Sequence, residues 1–490
     1  MKPAPERERR VLWRSFGAAL LIVLLTAGAT STAALLKIDD LIPEEAPGAG
    51  HEGRPVLPKP DSGKPQTILL MGSDRRWADR AEDPARSDTL MLVRLDPAQD
   101  ATTVLSIPRD LRVEVPGYGL EKINDAYALG GQKLAVETVK ALTGLEIHHT
   151  VNVNFKGFRK VVDLFDCIYV DVDRDYYHSN VGVPIGQRYD AIDIDPGYQP
   201  LCGHQALDYA RYRHGDSDLT RAARQQDFLR SAKDQVSTSS LIDDIDQLAK
   251  AFFDAAETDR DLRTTHGFLR LAKVALGASD LPIRQVPFPA TFVRDHDGER
   301  DIDYVEATPL DIADTVDRFL HGGDDQAEER PVVKRPVKRL AADARLVDAR
   351  ARGREITRAI RRRAGFPVRF PAFLTPQGRY SEGDSKPRVY RLRDRGGTRH
   401  RAYRLVLAEN AGDGQFYGVQ GTTWRNPPLL ASPSEVREVQ GRRLELYRSG
   451  RKLRFVAWRT STAAYWISNT LNLKLDNDEM LALAASLTAR

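Results

Sequence analysis

Cysteine is nearly absent: Cys167 and Cys202 are the only two in 490 residues. CxxC does not occur, and two thiols alone make a poor zinc site, so a cysteine-rich metal centre is excluded. The chain also lacks GxxxxGK followed by Ser or Thr, HExxH and GxSxG. A P-loop nucleotide site, a zincin and a serine-hydrolase elbow therefore have no support. A strong net charge is missing too. At +4, bulk electrostatics give no argument for nucleic acid, and none is expected as a partner. What is present is ordinary globular material, 41% hydrophobic and 29% charged, enough for about three domains of roughly 150 residues.

The N-terminus points to a membrane. Residues 1–14, "MKPAPERERRVLWR", are net basic, and Ser15–Leu36 carries no charge. That run is about the length a bilayer-spanning helix needs, and the basic flank favours a cytoplasmic N-terminus. Ala27-Gly28-Ala29 also resembles a signal-peptidase site, so anchor and cleaved signal are both open, with the anchor favoured. Either way the bulk of the chain is expected outside the cell, held at the membrane by a single pass. Export would permit a Cys167–Cys202 disulfide; two buried thiols are the plainer alternative.

Residues 37–65 are rich in Pro, Gly and charge, as a stalk would be. From 66 to 320 strand-like and helix-like segments alternate. Apolar runs at 66–74, 89–97 and 101–110 predict strands, 133–144 a helix, 149–155 a strand, 156–165 a helix and 167–173 a strand. Residues 204–213, 218–256, 261–279 and 308–320 read as helices, with a strand at 283–290. The pattern predicts an α/β domain, an α-β-α sandwich around a mixed sheet. Residues 321–343 read as a linker and 344–490 as a smaller α+β domain. That last part has a basic helix at 344–365, six strand-like runs and a terminal helix from 476.

Charged clusters sit where the strands end. Gly72-Ser73-Asp74-Arg75-Arg76 follows the first, Arg86-Ser87-Asp88-Thr89 enters the second, and Pro108-Arg109-Asp110 leaves the third. Lys122-Ile123-Asn124 comes next. The stretch "ALDYARYRHGDSDLTRAARQQ", residues 206–226, then supplies Arg211, Arg213, Arg221, Arg224 and Gln225. Any one Arg–Asp pair at a strand end is usually a weak surface ion pair. The recurrence at three successive strands is harder to dismiss, because ligands of open α/β sheets gather at strand ends. Arginine forks suit phosphate oxygens, and Asp74 and Asp88 offer hard oxygen ligands for Mg²⁺. Trp424, Trp458 and Trp466 either stack sugars or fill a core. The basic runs at 334–339 and 350–363 either meet anionic glycan or lipid, or form a solvated helix face.

Taken in order, "GSDRR", "RSDTLMLVRLDP", "VLSIPRDL", "KINDAYALGG" and "ALDYARYRHGDSDLTRAARQQ" resemble the LytR-CpsA-Psr family of cell-wall glycopolymer ligases. The resemblance covers about residues 66–236 and, more loosely, runs to 320. It implies a phosphotransferase that moves a glycopolymer from a polyprenyl-pyrophosphate carrier to peptidoglycan through a phosphodiester. It implies Mg²⁺ on Asp74 and Asp88. Pyrophosphate would lie on Arg86, Arg109, Lys122, Arg211, Arg213, Arg221 and Gln225. Asp88, Arg109, Asp110, Arg211 and Arg213 would carry the chemistry. The "KVVDLF" and "FLRSA" runs either wall a lipid tunnel or are core. A pyrophosphatase acting on the same carrier would show the same site, and a membrane-anchored scaffold or regulator is the non-enzymatic alternative. A cytoplasmic tail of 14 residues is too short for a DNA-binding domain, which argues against direct transcription control.

Overall fold

In the computed structural model the described residues are 55–61, 63–73, 87–99, 101–182, 191–212, 218–235, 256–278, 281, 283–297, 300–322 and 336–489. The expected spanning segment, 15–36, lies outside them. Among the described residues no helix is long and apolar enough to cross a membrane.

In chain order the first strands are β1 (Gln66–Ser73), β2 (Ser87–Leu95), β3 (Thr102–Ile107), β4 (Arg112–Val115) and β5 (Gly119–Lys122). Helix α1 (Asp125–Thr143), β6 (His149–Asn154) and α2 (Phe155–Leu164) follow. Then come β7 (Ile168–Val172), β8 (Tyr176–His178), β9 (Ile192–Ile194), β10 (Gly197–Leu201), α3 (Gly203–Arg211) and α4 (Asp218–Gln235). The stretch closes with β11 (Ala256–Thr258), α5 (Thr265–Gly277), β12 (Ile283–Val286), β13 (Thr291–Asp297), β14 (Arg300–Glu306) and α6 (Pro309–His321).

Two compact units emerge, and they do not follow chain order. The first comprises Met1–Cys167, Cys202–Leu207 and Val236–Asp324; the second comprises Ile168–Leu201, Asp208–Gln235 and Asp325–Arg490. A division at 321–343 is what the sequence suggests. By packing, two stretches from before that linker join the C-terminal residues.

The first unit is built on a six-stranded sheet in the order β11-β6-β1-β2-β3-β12. It is mixed, as expected: β1 runs parallel to β6 and β3 to β12, while the other neighbours are antiparallel. Leu69, Met71, Leu90, Leu92, Leu105 and Ile107 pack with Leu134, Val136 and Val139 of α1 and Phe319 of α6. The alternate set, Ile68, Leu70, Met91, Val93 and Val104, is also buried. Both faces are therefore covered, which is why these strands read as near-continuous apolar runs. Helix α1 starts eight residues earlier than the sequence pattern suggests. Gly130 and Gly131 break it internally, with Gly131 at φ 62°, and only the part after the break carries the long apolar period. Gly144 ends it in the left-handed conformation, as its position predicts.

The C-terminal stretch of the second unit, read from the sequence as a smaller α+β domain, is mostly sheet. Its strands are β15 (Arg379–Tyr380), β16 (Arg388–Arg393), β17 (Arg399–Asn410), β18 (Gln415–Thr422), β19 (Glu435–Val439), β20 (Arg442–Ser449), β21 (Lys452–Arg459) and β22 (Ala464–Ser468). They form one antiparallel sheet, β15-β17-β18-β22-β21-β20-β19, with β16 also paired to β17. Its helices are α7 (Val337–Asp343), α8 (Arg350–Ala364) and α9 (Asn477–Ser486). The expected helix at 344–365 is shorter, because Val347–Asp348 pairs as strand with Phe373–Leu374. The acidic start of the terminal helix is a capping box of Asp476 and Glu479. One face of the sheet packs Tyr403, Leu405 and Leu407 against Met480 and Leu483. The other packs Ala402, Phe455 and Trp466 against Tyr169 and Tyr198 of the β7–β10 ribbon.

Candidate active site

Strand directions gather the charged clusters of the first unit at one end of its sheet. Ser73, the last residue of β1, is registered with Asn154 at the end of β6 and with Ser87 at the start of β2. Leu90 pairs with Ile107, so the Pro108–Asp110 turn leaves β3 at that same end. The β1–β2 ladder carries a bulge there: Gly72 faces Thr89 and Ser73 faces Ser87. Asp88 is the extra residue between them, and bulges of this kind recur beside active sites. Asp74 and Arg86 lie outside the described residues, as does the side chain of Asp88.

The turn after β3 holds a three-residue charge cluster. Arg109 Nε donates to Asp110 Oδ2 at 3.2 Å, and Lys122 Nζ donates to Asp110 Oδ1 at 2.8 Å. The three side chains are 17%, 20% and 24% exposed, so the cluster is partly open to solvent. The backbone fixes them. Asn124 N donates to Arg109 O at 3.2 Å, Ile123 N to Leu111 O at 2.9 Å, and Val305 N to Asp110 O at 3.0 Å. Lys122 and Arg112, registered opposite each other on the β4–β5 hairpin, both lie over the Tyr304 ring, at 5.5 and 4.9 Å. Tyr304 was invisible to sequence reasoning, since nothing in the spacing links it to a lysine 182 positions earlier. Asn124 is buried, and its Oδ1 has no hydrogen-bond partner among the described residues. Arg112 also borders a groove of about 670 Å³, lined by Leu142, Ile312, Val316 and Leu320.

The arginine segment belongs to the second unit. Helix α3 ends at Arg211, where the sequence suggests 213, and α4 begins at Asp218, as expected. Arg213 falls between them, outside the described residues. Arg211 pairs with Asp208 of its own helix at 3.0 Å and remains 22% exposed. Gln225 Nε2 donates to Ala210 O at 3.1 Å, and Arg221 is buried. The residue that organises the turn is Arg224, fully buried, which donates to Tyr209 O at 2.9 Å and Tyr212 O at 3.0 Å. Its guanidinium lies 4.7 Å from the Tyr176 ring centroid. Burial pushes the Tyr176 and Tyr209 hydroxyls well above their ordinary range, so both phenols stay neutral. Tyr176 donates to Asp173 at 2.6 Å. The spacing of Arg221, Arg224 and Gln225 announced a shared helix face. It did not show that Arg224 would turn inward and bind the end of α3.

Cys167 and Cys202 form a disulfide directly before α3. Gly203, the next residue, donates its N–H to Asp163 Oδ1 at 2.7 Å. A Cβ there would meet Arg159 O at 2.3 Å, so only glycine allows so close an approach. Closing a loop across 35 positions is worth roughly 3–4 kcal/mol by chain entropy.

Among the described residues no three His, Cys, Asp or Glu side chains gather as a metal site. Asp74 and the side chain of Asp88, the expected magnesium ligands, lie outside those residues.

The chain is 34% identical over 203 residues to the polyisoprenyl-teichoic acid–peptidoglycan teichoic acid transferase TagU of Oceanobacillus iheyensis, covering 40% of this chain and 59% of that protein. It is 30% identical over 241 residues to TagT of Bacillus subtilis, a transferase of the same name, covering 48% of this chain and 74% of that protein. The first of these matches thus spans less than two thirds of the relative's length. The crystal structure of B. subtilis TagV superposes with a TM-score of 0.42 and 28% identity, covering 52% of this chain and 96% of that one. The LytR_cpsA_psr family description matches residues 37–314, more than half of the sequence, and the chain belongs to that family.

Proposed function

We propose that this protein is a phosphotransferase that moves a glycopolymer from a polyprenyl-pyrophosphate carrier onto peptidoglycan. The observation that carries this reading is the Arg109–Asp110–Lys122 cluster at the sheet end where β1 finishes and β2 begins. Membership of the family and the transferase names of the relatives support it.

The reaction fits what these groups can do. A sugar hydroxyl attacks the phosphorus that carries the glycopolymer. The bond from that phosphorus to the bridging oxygen breaks, polyprenyl phosphate leaves, and the hydroxyl proton passes to the leaving phosphate or to water. Charge builds on two phosphates at once, and cations fixed beforehand stabilise it without reorganising. Arg109 and Lys122 are such cations, held by one carboxylate and by backbone hydrogen bonds. Asp110, gripped from both sides, suits the orienting of these two rather than proton abstraction. Asp74 and Asp88 would hold Mg²⁺, which when bound neutralises charge on the pyrophosphate oxygens. Arg86, Arg211, Arg213, Arg221 and Gln225 are proposed as further pyrophosphate contacts. The apolar groove beside Arg112 suits a prenyl tail. An anchor at residues 15–36 would keep the enzyme at the membrane, outside the cell, where carrier and wall meet.

The purified full chain, given a short polyprenyl-pyrophosphate oligosaccharide and a peptidoglycan fragment, is expected to consume the carrier with Mg²⁺ and to stop with EDTA. An untouched carrier in both conditions contradicts the proposal.

A further inference from the structure

Helix α8 buries Gly353, Thr357, Ile360 and Ala364, one stripe at four- and three-residue spacing. Arg354, Arg358, Arg361, Arg362 and Arg363 stay exposed. The helix packs on β16 and β17, and Arg401 Nη1 donates to Gly365 O at 3.3 Å, joining the ribbon to the end of the helix. In the ribbon, Arg391 stands directly opposite Arg401, and Arg393 opposite Arg399; all four are exposed. Among the described residues none of these nine guanidiniums pairs with a carboxylate.

Stability does not explain the arrangement. Like charges directly across a ladder are unfavourable, and so are like charges four apart on a helix, as in Arg354/Arg358 and Arg358/Arg362. The helix dipole accounts for Arg361–Arg363, and the Gly365 carbonyl for Arg401. Arg354, Arg358, Arg391, Arg393 and Arg399 have no such local use. The set contains no lysine. Arginine is the more weakly hydrated cation, and its fork takes two oxygens of one phosphate. No exposed large apolar side chain lies on α8, β16 or β17, and the apolar stripe of α8 is already buried. A surface that enters a membrane needs that apolar component. Charges repeat about every 6–7 Å along each strand and about every 6 Å along the helix, a spacing that suits a chain of repeated anions.

We propose that this arginine face of the second unit binds a linear polyanion with phosphate groups along its backbone. Its identification with the glycopolymer being transferred rests on the reaction proposed above; the binding itself does not.

The test uses the full chain and fluorescently labelled linear inorganic polyphosphate, read by anisotropy over a salt series. Two variants are compared with the parent: Arg391→Gln/Arg393→Gln/Arg399→Gln/Arg401→Gln, and Arg354→Gln/Arg358→Gln/Arg361→Gln/Arg362→Gln. The second leaves the sheet untouched and covers a folding failure of the first. Each is expected to bind at least ten-fold more weakly, with the slope of log Kd against log salt reduced by roughly 0.7 per arginine removed. Binding within two-fold of the parent in a folded variant overturns the proposal. So does binding to anionic phospholipid vesicles that polyphosphate does not displace. Consumption of a carrier bearing an uncharged oligosaccharide should stay within two-fold in both variants. Failure of that reaction in the parent, with polyphosphate binding intact, would strike the proposed reaction and leave the arginine face standing.

Discussion

Arg404 reaches both carboxylate oxygens of Asp171 at 3.0 Å, and neither side chain is more than 1% exposed. The pair lies on the face where the β7–β10 ribbon packs on the C-terminal sheet. Ser468 Oγ accepts a further hydrogen bond from Arg404 at 3.0 Å. Removing one partner strands a buried charge. Arg404→Leu should therefore destabilise the second unit by about 3–5 kcal/mol, and the Asp171→Leu/Arg404→Leu double variant should recover much of that loss. Urea denaturation at neutral pH reads both.

The turn that presents Arg211 depends on Arg224. Lysine offers no planar fork for the Tyr209 and Tyr212 carbonyls and stacks poorly on Tyr176. Arg224→Lys should lower stability by about 2–3 kcal/mol and transfer at least ten-fold. Hydrogen exchange at the amides of residues 209–212 should rise more than elsewhere in the unit. Uniform acceleration would mean that Arg224 has no special hold on the turn.

Asp110→Asn keeps the shape of the cluster and removes the charge shared by Arg109 and Lys122. Two cations freed of their carboxylate should hold the carrier's pyrophosphate no less tightly, but in poorer register. The expected outcome is a kcat about 100-fold lower with KM for the carrier unchanged or reduced. A higher KM at unchanged kcat would assign Asp110 to ground-state binding instead.

Asp175 titrates in a useful range. Burial, with repulsion from Asp384, Asp195 and Asp193, pushes its carboxyl up to about 6. The folded chain then holds this proton more tightly than the unfolded chain. The stabilisation is complete below about pH 4 and is lost as pH rises through 6. The group is partly exposed, so solvent screening reduces the effect to about 1 kcal/mol. Asp175→Asn should stabilise the second unit by that amount at pH 7.5 and flatten its pH dependence between 4 and 7. An unchanged profile would remove Asp175 as its source.

Much of the first unit was legible because strands buried on both faces write long apolar runs, and because charge clusters mark where such strands stop. The β1, β2 and β3 runs appeared in that way; β6 and β12, which hold His149, Asn152, Arg284 and Gln285, gave shorter signals. The β4–β5 hairpin did not: its eight residues alternate too briefly to stand out, yet it carries Lys122 to Asp110. Six of the tail sheet's strands were legible as separate runs, β15 and β19 were not, and neither was the sheet's partner. Tyr169, Tyr198 and Asp171 look like ordinary sandwich residues, and only pairing with Trp466 and Arg404 shows where they pack. The three tryptophans divided in the same manner. Trp458 and Trp466 fill the core, and Trp424, half-buried, stacks on His400.

The most direct test of the central claim is product stoichiometry in the transfer reaction, read by mass spectrometry. One polyprenyl monophosphate should be released for each sugar–phosphate–sugar adduct formed, with no free phosphorylated oligosaccharide. Monophosphate released together with free phosphorylated oligosaccharide, and no adduct, would contradict it and identify a hydrolase of the carrier.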